Sequence, residues 1–506
     1  MRGPHNLIRL LRTGATFERT GAMRIALDAM DVHRNLKIAA RVFGWPFQWL
    51  GLKGKPEQPA VLRSLTALGP AYVKFGQLLS TRPDIVGKDL ARELRILQDR
   101  LPAFPTAEAK RMVEAELGKP ADTLFSEFSE PVAAASIAQV HRARLSSDGS
   151  LVAVKVLRPD IERAFQRDID AFYLAADIVR LLSPSARRLR PRAVIEHFEG
   201  VVQRELDLRM EASAADEFAA ATKDDPGIFA PAVRWSLSAR RMVTLDWVEG
   251  INLGDVDGLR EAGHDLPDLA RRLIQMFLRQ ALRDGFFHAD MHQGNIKISP
   301  EGQIRVMDFG IMGRIDEYTR RVYAEILMGF IGRDYKNVAR VHFEAGYVPS
   351  DQSVDDFAQA LRSVGEPIFG MDASRISMAR LLAHLFEVTE RFGMETRTEL
   401  ILLQRTMVVV EGVARSLDPN MNMWETSKPV VENYIRSHFG PEATLREIIQ
   451  ASRIVSRLGP RLTQLVETAA KRLAKPSQAP PPDRRPAAFI AGAVITATLA
   501  IAIAVI

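Results

Sequence analysis

The 506-residue chain contains no cysteine. That single absence removes disulfide frameworks, thiolate zinc sites, iron–sulfur clusters and cysteine nucleophiles together. Aromatic residues are sparse at 7%, which is compatible with a helical protein and carries no collagenous or repeat bias. The N-terminus lacks the uninterrupted apolar run of a secretory signal peptide. Neither sign of charge dominates: 68 Lys and Arg face 62 Asp and Glu, a formal +6. What is present is 47% hydrophobic residues, too many for a disordered chain. The length allows roughly two to four structural units around a large core.

The +6 is not spread evenly. Residues 1–55 carry ten basic and three acidic side chains, 451–486 carry eight and two, and 487–506 carry none, which leaves 56–450 at −7. A negatively charged body is a poor nucleic-acid binder, so no nucleic-acid partner is expected. Basic ends suit anionic membrane lipids, where each nearby Lys or Arg contributes about 1 kcal/mol. At the N-terminus Leu7, Ile8, Leu10 and Leu11 are interspersed with Arg2, Arg9 and Arg12, and Phe43, Trp45, Phe47, Trp49 and Leu50 precede Lys53 and Lys55. This reads as a membrane-interface segment, with an organellar transit peptide or an ordinary packed extension as alternatives.

Ala487 to Ile506 holds no charged residue. At ~1.5 Å per residue it reaches roughly 30 Å, so a C-terminal transmembrane helix is expected, a buried core helix being the alternative. Residues 476–486 form a Pro-rich linker ahead of it. Lys471, Arg472, Lys475, Arg484 and Arg485 place the body in the cytoplasm. Ala488, Gly492, Thr496, Ala500 and Ala504 form a small-residue stripe that allows a homodimer. Without a cleavage site, a bacterial inner membrane is favoured over a mitochondrial one.

In between, apolar residues at 62, 65, 68, 72, 75 and 79 follow helical spacing over Val61–Leu79. A second helix is expected over Lys88–Gln98, stopped by Leu101-Pro102 and Phe104-Pro105. Strand character begins near Ser136, with Ile137–Ala143 and Leu151–Val156 joined through a Ser147-Asp148-Gly149 turn. Helices over about 160–182 and 192–222 follow, then strands near 231–237 and 241–248. A mostly helical stretch runs to about 475, interrupted at 286–310 by a loop and hairpin.

Phosphoryl transfer needs a cation on the nucleotide phosphates, an acidic partner for it, metal ligands and a carboxylate near the nucleophile. Lys155 lies in Val152-Ala153-Val154-Lys155-Val156, on the same strand face as Ala153. Downstream, Phe286-Phe287-His288-Ala289-Asp290-Met291-His292-Gln293-Gly294-Asn295 is followed by Asp308-Phe309-Gly310. Asp290 can orient a hydroxyl or water, and Asn295 and Asp308 offer hard oxygen ligands for Mg²⁺, with Mn²⁺ as an alternative. A His288-x-Asp290-x-His292 metal hydrolase is the rival reading, weakened because the remaining histidines are scattered singly. Helical spacing places Asp207 and Glu211 on one face, with Glu205 nearly opposite Asp207, and makes Glu211 the expected partner of Lys155.

This ordered set resembles the protein-kinase-like fold, and further motifs narrow the resemblance to the UbiB or aarF-domain family. Lys74-Phe75-Gly76-Gln77 is similar to that family's Lys-x-Gly-Gln signature in an N-terminal extension. Ala133-Ala134-Ala135-Ser136-Ile137-Ala138-Gln139-Val140 resembles its Ala-rich loop, which stands where ordinary kinases have Gly-x-Gly-x-x-Gly. Glu205-Leu206-Asp207, followed by Glu211, resembles its Glu-x-Asp segment. One departure stands out: Met291 and Gln293 replace two prolines of the family's catalytic loop, which removes two φ constraints.

The resemblance implies an α+β, bilobal protein-kinase-like fold with an N-terminal helical extension, a large helical C-lobe and the C-terminal transmembrane helix already expected. The domains would be a basic segment at 1–60, the extension at 61–130, the N-lobe at 131–250 and the helical C-lobe at 251–475. The linker at 476–486 and the span at 487–506 would complete the chain. It implies ATP and Mg²⁺ as cofactors, held by the Ala-rich loop (Ala133, Ala134, Ala135, Ser136, Ile137, Ala138, Gln139, Val140), Lys155 and Glu211. A hinge at Asp246, Trp247 and Val248 would take the adenine. Lys74 and Gln77 would act as regulatory residues, with Glu205 or Asp207 near Lys74. The activity implied is ATPase or small-molecule-directed kinase activity in ubiquinone biosynthesis, with lipidic quinone precursors and quinone-biosynthesis enzymes as partners. A small-molecule phosphotransferase and a non-catalytic, nucleotide-dependent lipid-binding scaffold are the alternatives.

Overall fold

The fold was obtained as a computed structural model, which describes residues 5–29, 49–80, 86–94, 97, 102–182, 190–369 and 398–439, with short pieces between 384 and 394. Met1–Tyr434 form one compact unit; Ile435–Ile506 form a second, described only to Phe439.

The first unit opens with helices α1 (His5–Thr20) and α2 (Ala22–Ala29). α1 buries Ala15 and Thr16, and Arg9 pairs with Asp168 at 2.5 Å, while Leu7 and Ile8 remain exposed. The single helix expected over Val61–Leu79 is two: α3 (Ala60–Leu68) and α4 (Pro70–Ser80). Pro70 lacks the N–H that would continue α3, and Gly69, at φ 114, takes a conformation few other residues adopt. Helices α5 (Lys88–Leu94) and α6 (Thr106–Leu117) follow, α6 starting directly after Pro105.

Strands β1 (Phe125–Ala134), β2 (Ala138–Leu145) and β3 (Leu151–Leu157) lead into an antiparallel sheet. β1 escapes sequence reading because Ser, Glu and Pro interrupt it and half of its residues are exposed, with bulges breaking its register. Helix α7 (Ile161–Leu182) packs against α1. The stretch 192–222 divides into α8 (Pro191–Glu205) and α9 (Leu208–Ala221). The break falls at Leu206-Asp207 because the Asp207 carboxylate accepts the Arg209 amide and caps α9.

The strand expected at 231–237 is a 3₁₀ turn (Trp235–Leu237) beside one bridge, Val233 to Leu245. β4 (Ile228–Phe229) instead joins a second sheet, and β5 (Met242–Asp246) completes the first in the order β1-β2-β3-β5. The second sheet runs β4-β9-β8-β6, with β6 (Ile251–Asn252), β8 (Ile296–Ile298) and β9 (Ile304–Val306). β7 (Phe286–His288) pairs with β10 (Met312–Arg314).

Helix α10 (Leu266–Arg279) turns Leu269, Ala270, Leu273, Ile274, Met276 and Phe277 into the core under these strands. Helices α11 (Glu317–Ile331), α12 (Tyr335–Glu344) and α13 (Val354–Phe369) gather around Tyr335, Phe357 and Leu361 as a separate cluster. α14 (Thr398–Leu417) packs along α10, and α15 is Met423–Phe439.

The chain is therefore mixed helix and sheet, but the C-terminal transmembrane helix is not supported. No helix among the described residues is long and apolar enough to cross a membrane. The run 487–506, its small-residue stripe, the linker 476–486, the basic segment 451–486 and the aromatic residues 43–47 lie outside the described residues. An uncharged run of sufficient length is necessary for a span and not sufficient for one.

Candidate functional site

β3 presents Lys155 by simple alternation. Val152, Val154 and Val156 are fully buried, so Lys155 faces the other side, between Val140 of β2 and Val243 of β5. Its Nζ donates to Glu211 Oε1 at 2.8 Å and to Asp308 Oδ1 at 3.3 Å. Glu211 projects from the first turns of α9, itself fixed by the Asp207 cap. Asp308 follows β9 and sits at φ 57, an uncommon backbone state that turns its carboxylate toward Lys155. Three elements thus converge on one ammonium.

The charges respond accordingly. Lys155 holds its proton above the usual lysine range: burial alone would lower it, but the Asp308 and Glu211 carboxylates more than offset that. The Lys155 ammonium pulls Asp308 down to about 2 against the cost of burial. Burial raises Glu211, opposed by Lys155.

Below this trio, His288 is fully buried on β7. Its Nδ1 accepts the Asp290 amide at 3.2 Å, so the proton lies on Nε2, which donates to the Asp308 carbonyl at 2.7 Å. Burial holds the ring below the ordinary histidine range, hence neutral. With both nitrogens engaged, His288 cannot ligate a metal, and the His-x-Asp-x-His hydrolase reading loses its first ligand. His292 lies 3.6 Å from the Asp290 carboxylate, which stays partly exposed.

Asn295 donates through Nδ2 to the Asp290 backbone carbonyl at 3.0 Å and to its carboxylate at 3.4 Å, and the Asn295 backbone carbonyl accepts the Met307 amide at 2.8 Å. The Asn295 Oδ1 therefore has no donor among the described residues, one peptide from Asp308. Asp308 uses Oδ1 for Lys155 and the Gly310 amide, and no described residue donates to its second oxygen. A hard amide oxygen and a hard carboxylate oxygen fit Mg²⁺, which takes few protein ligands when phosphates supply others.

The two loop substitutions are accommodated differently. Met291 is fully buried in the main core, anchoring the loop by packing where a proline would anchor it by φ. Gln293 is exposed and opens a 3₁₀ turn. From above, the buried Thr406 hydroxyl of α14 donates to the Leu402 carbonyl of its own helix at 2.8 Å and lies 3.2 Å from the Ala289 carbonyl.

The Ala-rich segment is the β1–β2 turn. The Arg158 guanidinium clasps the Ala135 carbonyl through Nε at 3.0 Å and Nη2 at 2.8 Å. Ser136 is fully buried, and its Oγ has no partner among the described residues. Gln139 is engaged elsewhere: it exchanges hydrogen bonds with the Phe104 backbone at 2.9 and 3.2 Å and touches His141 at 2.9 Å. Ala138 is buried in the core. Ala133, Ala134 and Ile137 stay at least partly accessible, as does Val140 beside Lys155.

In the extension, Lys74 pairs with Glu205 at 3.0 Å, not with Asp207, whose carboxylate is held by Arg209 at 2.6 Å. Gln77 donates to the Leu97 carbonyl at 3.3 Å. At Gly76 a Cβ would lie 2.5 Å from a Leu97 methyl and 2.7 Å from a Leu65 methyl, so both buried leucines would have to shift to admit one. At the other end of the site the Asp246 carboxylate binds Arg234 at 2.7 Å, and the Trp247 amide donates to Leu151 at 3.0 Å. Lys297 of β8 donates to the Val248 carbonyl at 3.0 Å. Arg158, Thr406 and Lys297 are the side chains that sequence reasoning passes over. Only Lys297 had a local signal, a lone cation between Ile296 and Ile298 just after Asn295.

Comparison with known proteins identifies the family. Residues 96–342 match the ABC1 atypical kinase-like domain, and residues 361–422 match the UbiB helical domain. A probable protein kinase UbiB of Aeromonas hydrophila is 38% identical over 443 residues, covering 85% of this chain and 81% of that protein. Its counterpart in Pseudomonas aeruginosa is 38% identical over 447 residues, covering 87% and 83%. Among solved structures, the Rv3197–erythromycin complex from Mycobacterium tuberculosis aligns with a TM-score of 0.51 at 24% identity, covering 70% of this chain and 90% of that one. At that identity the likeness is one of fold.

Proposed function

Because this chain belongs to the UbiB family of ABC1 atypical kinase-like proteins, we propose that it binds a magnesium–nucleotide complex and turns over ATP, or transfers its phosphoryl group to a small molecule, in support of ubiquinone biosynthesis. The observation that carries this is Lys155 held at once by Glu211 and Asp308, at 2.8 and 3.3 Å. That arrangement keeps a cation charged where nucleotide phosphates would lie.

Lys155 would bind the phosphates, with the accessible residues of the Ala-rich turn beside them. Asn295 and Asp308 would hold Mg²⁺, or Mn²⁺, through their uncommitted oxygens; the ion supplies positive charge to the transferring phosphoryl group. Asp290, braced by Asn295 and by His288, would orient a water or hydroxyl for attack. Water or a small acceptor is favoured over a protein one. Side chains with a Cβ line the phosphate turn, and the Lys74–Glu205 pair ties the helical extension to the end of α8. Lipidic quinone precursors, and a membrane surface reached through the basic N-terminal segment, belong to this reading as partners.

Product analysis with γ-labelled ATP tests it. Free phosphate supports the ATPase and a labelled metabolite supports the transferase. No turnover with any quinone-precursor extract present, in a protein that binds no nucleotide, would sink both.

A further inference from the structure

Helix α9 supplies Glu211 to Lys155, so where α9 sits decides whether that contact exists. Two turns further along the same face, Phe218 is fully buried, with its ring 5.2 Å from that of Phe309, the residue after Asp308. At the end of the helix the Ala221 carbonyl accepts Arg283 Nη2 at 3.2 Å. On the flank, Glu217 takes both arms of the Arg314 guanidinium: Nη1 at 2.8 Å on one carboxylate oxygen and Nη2 at 2.5 Å on the other. Unlike the other two contacts, this one lies at the surface, where Arg314 is exposed and Glu217 partly so.

Arg314 is nevertheless well fixed. It ends β10, which pairs with β7 in the register Met312 to His288, Gly313 to Phe287 and Arg314 to Phe286. The next amide, of Ile315, donates to the Gly285 carbonyl at 2.8 Å. The guanidinium also lies 4.4 Å from the centre of the buried Phe286 ring. Isolated surface ion pairs contribute little, in part because two long side chains must be ordered to form them. Here the strand and the ring order one partner, the helix carries the other, and the contact is bidentate, the geometry in which such a pair has weight.

Its consequence runs through Lys155, whose Nζ is shared between Glu211 at 2.8 Å and Asp308 at 3.3 Å. If α9 shifts away, the ammonium keeps only Asp308, the carboxylate assigned above to the metal, and is drawn onto it. Glu217 and Glu211 belong to one helix, so a tie at 217 constrains 211. The tie ends on the strand that follows Asp308-Phe309-Gly310, which sets α9 and the Asp308 segment in one register.

We propose that Arg314 and Glu217 are positioning residues for the nucleotide chemistry: their ion pair seats α9 so that Glu211 holds Lys155 back from Asp308. The proposal rests on the nucleotide-binding reading above and adds to it a pair remote from the reacting atoms.

The test uses the full chain with Arg314→Glu, Glu217→Arg and the two together, and reads equilibrium affinity for Mg-ATP, kcat for ATP turnover, and backbone hydrogen exchange. Either single substitution sets like charges against each other. Each is expected to lower kcat about tenfold, to leave Mg-ATP affinity within about twofold of wild type, and to speed exchange in α9 but not in α10. The double variant restores opposite charges and should bring kcat and α9 exchange back to within about threefold of wild type. A merely destabilised protein behaves otherwise: exchange speeds up in α10 too, and the second substitution adds to the damage of the first. Arg314→Gln removes the pair without repulsion and should fall between wild type and Arg314→Glu. Wild-type kcat in the single variants, or a double variant no better than either, overturns this proposal and leaves the nucleotide reading standing. A wild-type protein that neither binds nor turns over ATP overturns that reading, and this one with it.

Discussion

Lys155 stands between two carboxylates of opposite tendency: Asp308 is driven down to about 2, and burial drives Glu211 up. Replacing Lys155 with Met removes the cation that offsets the burial of Glu211. The folded variant then binds a proton the unfolded chain releases, so its stability falls as pH rises. Urea midpoints at pH 5 and pH 8 should show Lys155→Met losing more than wild type at the higher pH. Asp308 has the reverse sign. Its folded value lies below the ordinary 3.8, so its contribution is present above that value and is lost as pH falls toward about 2. Asp308→Asn should flatten that acid limb in a pH-dependent melt. Of these residues, Lys155 and its Glu211 partner were legible from strand alternation and helix spacing. The choice between Glu205 and Asp207 beside Lys74 was not, because 192–222 reads as one helix by its spacing, whereas the chain breaks at Leu206 and Asp207 caps the start of α9.

The loop Ala289–Asn295 is held by the core beneath it and by α14. Met291 fills a core position, so Met291→Pro removes packing and should cost about 2–5 kcal/mol in chemical denaturation. Gln293 is exposed at the start of a 3₁₀ turn, where proline's fixed φ is suited, and Gln293→Pro should be near neutral by the same measurement. The Thr406 hydroxyl of α14 is shared between the Leu402 carbonyl at 2.8 Å and the Ala289 carbonyl at 3.2 Å. Thr406→Val keeps the shape and removes the donor, and should lower ATP turnover severalfold with nucleotide affinity unchanged, whereas Thr406→Ser should restore it. The β2–β3 hairpin and α7 were readable from alternation and turn residues. β1 was not, since an exposed, bulged edge strand has no period-2 signal. The link between α14 and the loop spans more than a hundred residues of sequence, and no local pattern encodes it.

At the scale of the molecule, motif order was more informative than hydropathy. Lysine on a strand, His-x-Asp-x-x-x-x-Asn and Asp-Phe-Gly, joined by Lys-x-Gly-Gln and the Ala-rich turn, pointed to the family that residues 96–342 and 361–422 match. The uncharged run 487–506 pointed to a membrane span that no described helix provides. Hydropathy counts apolar side chains without registering what they pack against; the motifs encode a geometry that three elements must jointly satisfy. The central claim is that this geometry performs nucleotide chemistry for ubiquinone synthesis. Its most direct measurement is quinone content in a strain lacking the protein, complemented with wild type or with Asp308→Asn at matched protein levels. Wild type should restore ubiquinone and Asp308→Asn should leave it at the level of the uncomplemented strain; full restoration by Asp308→Asn would contradict the account.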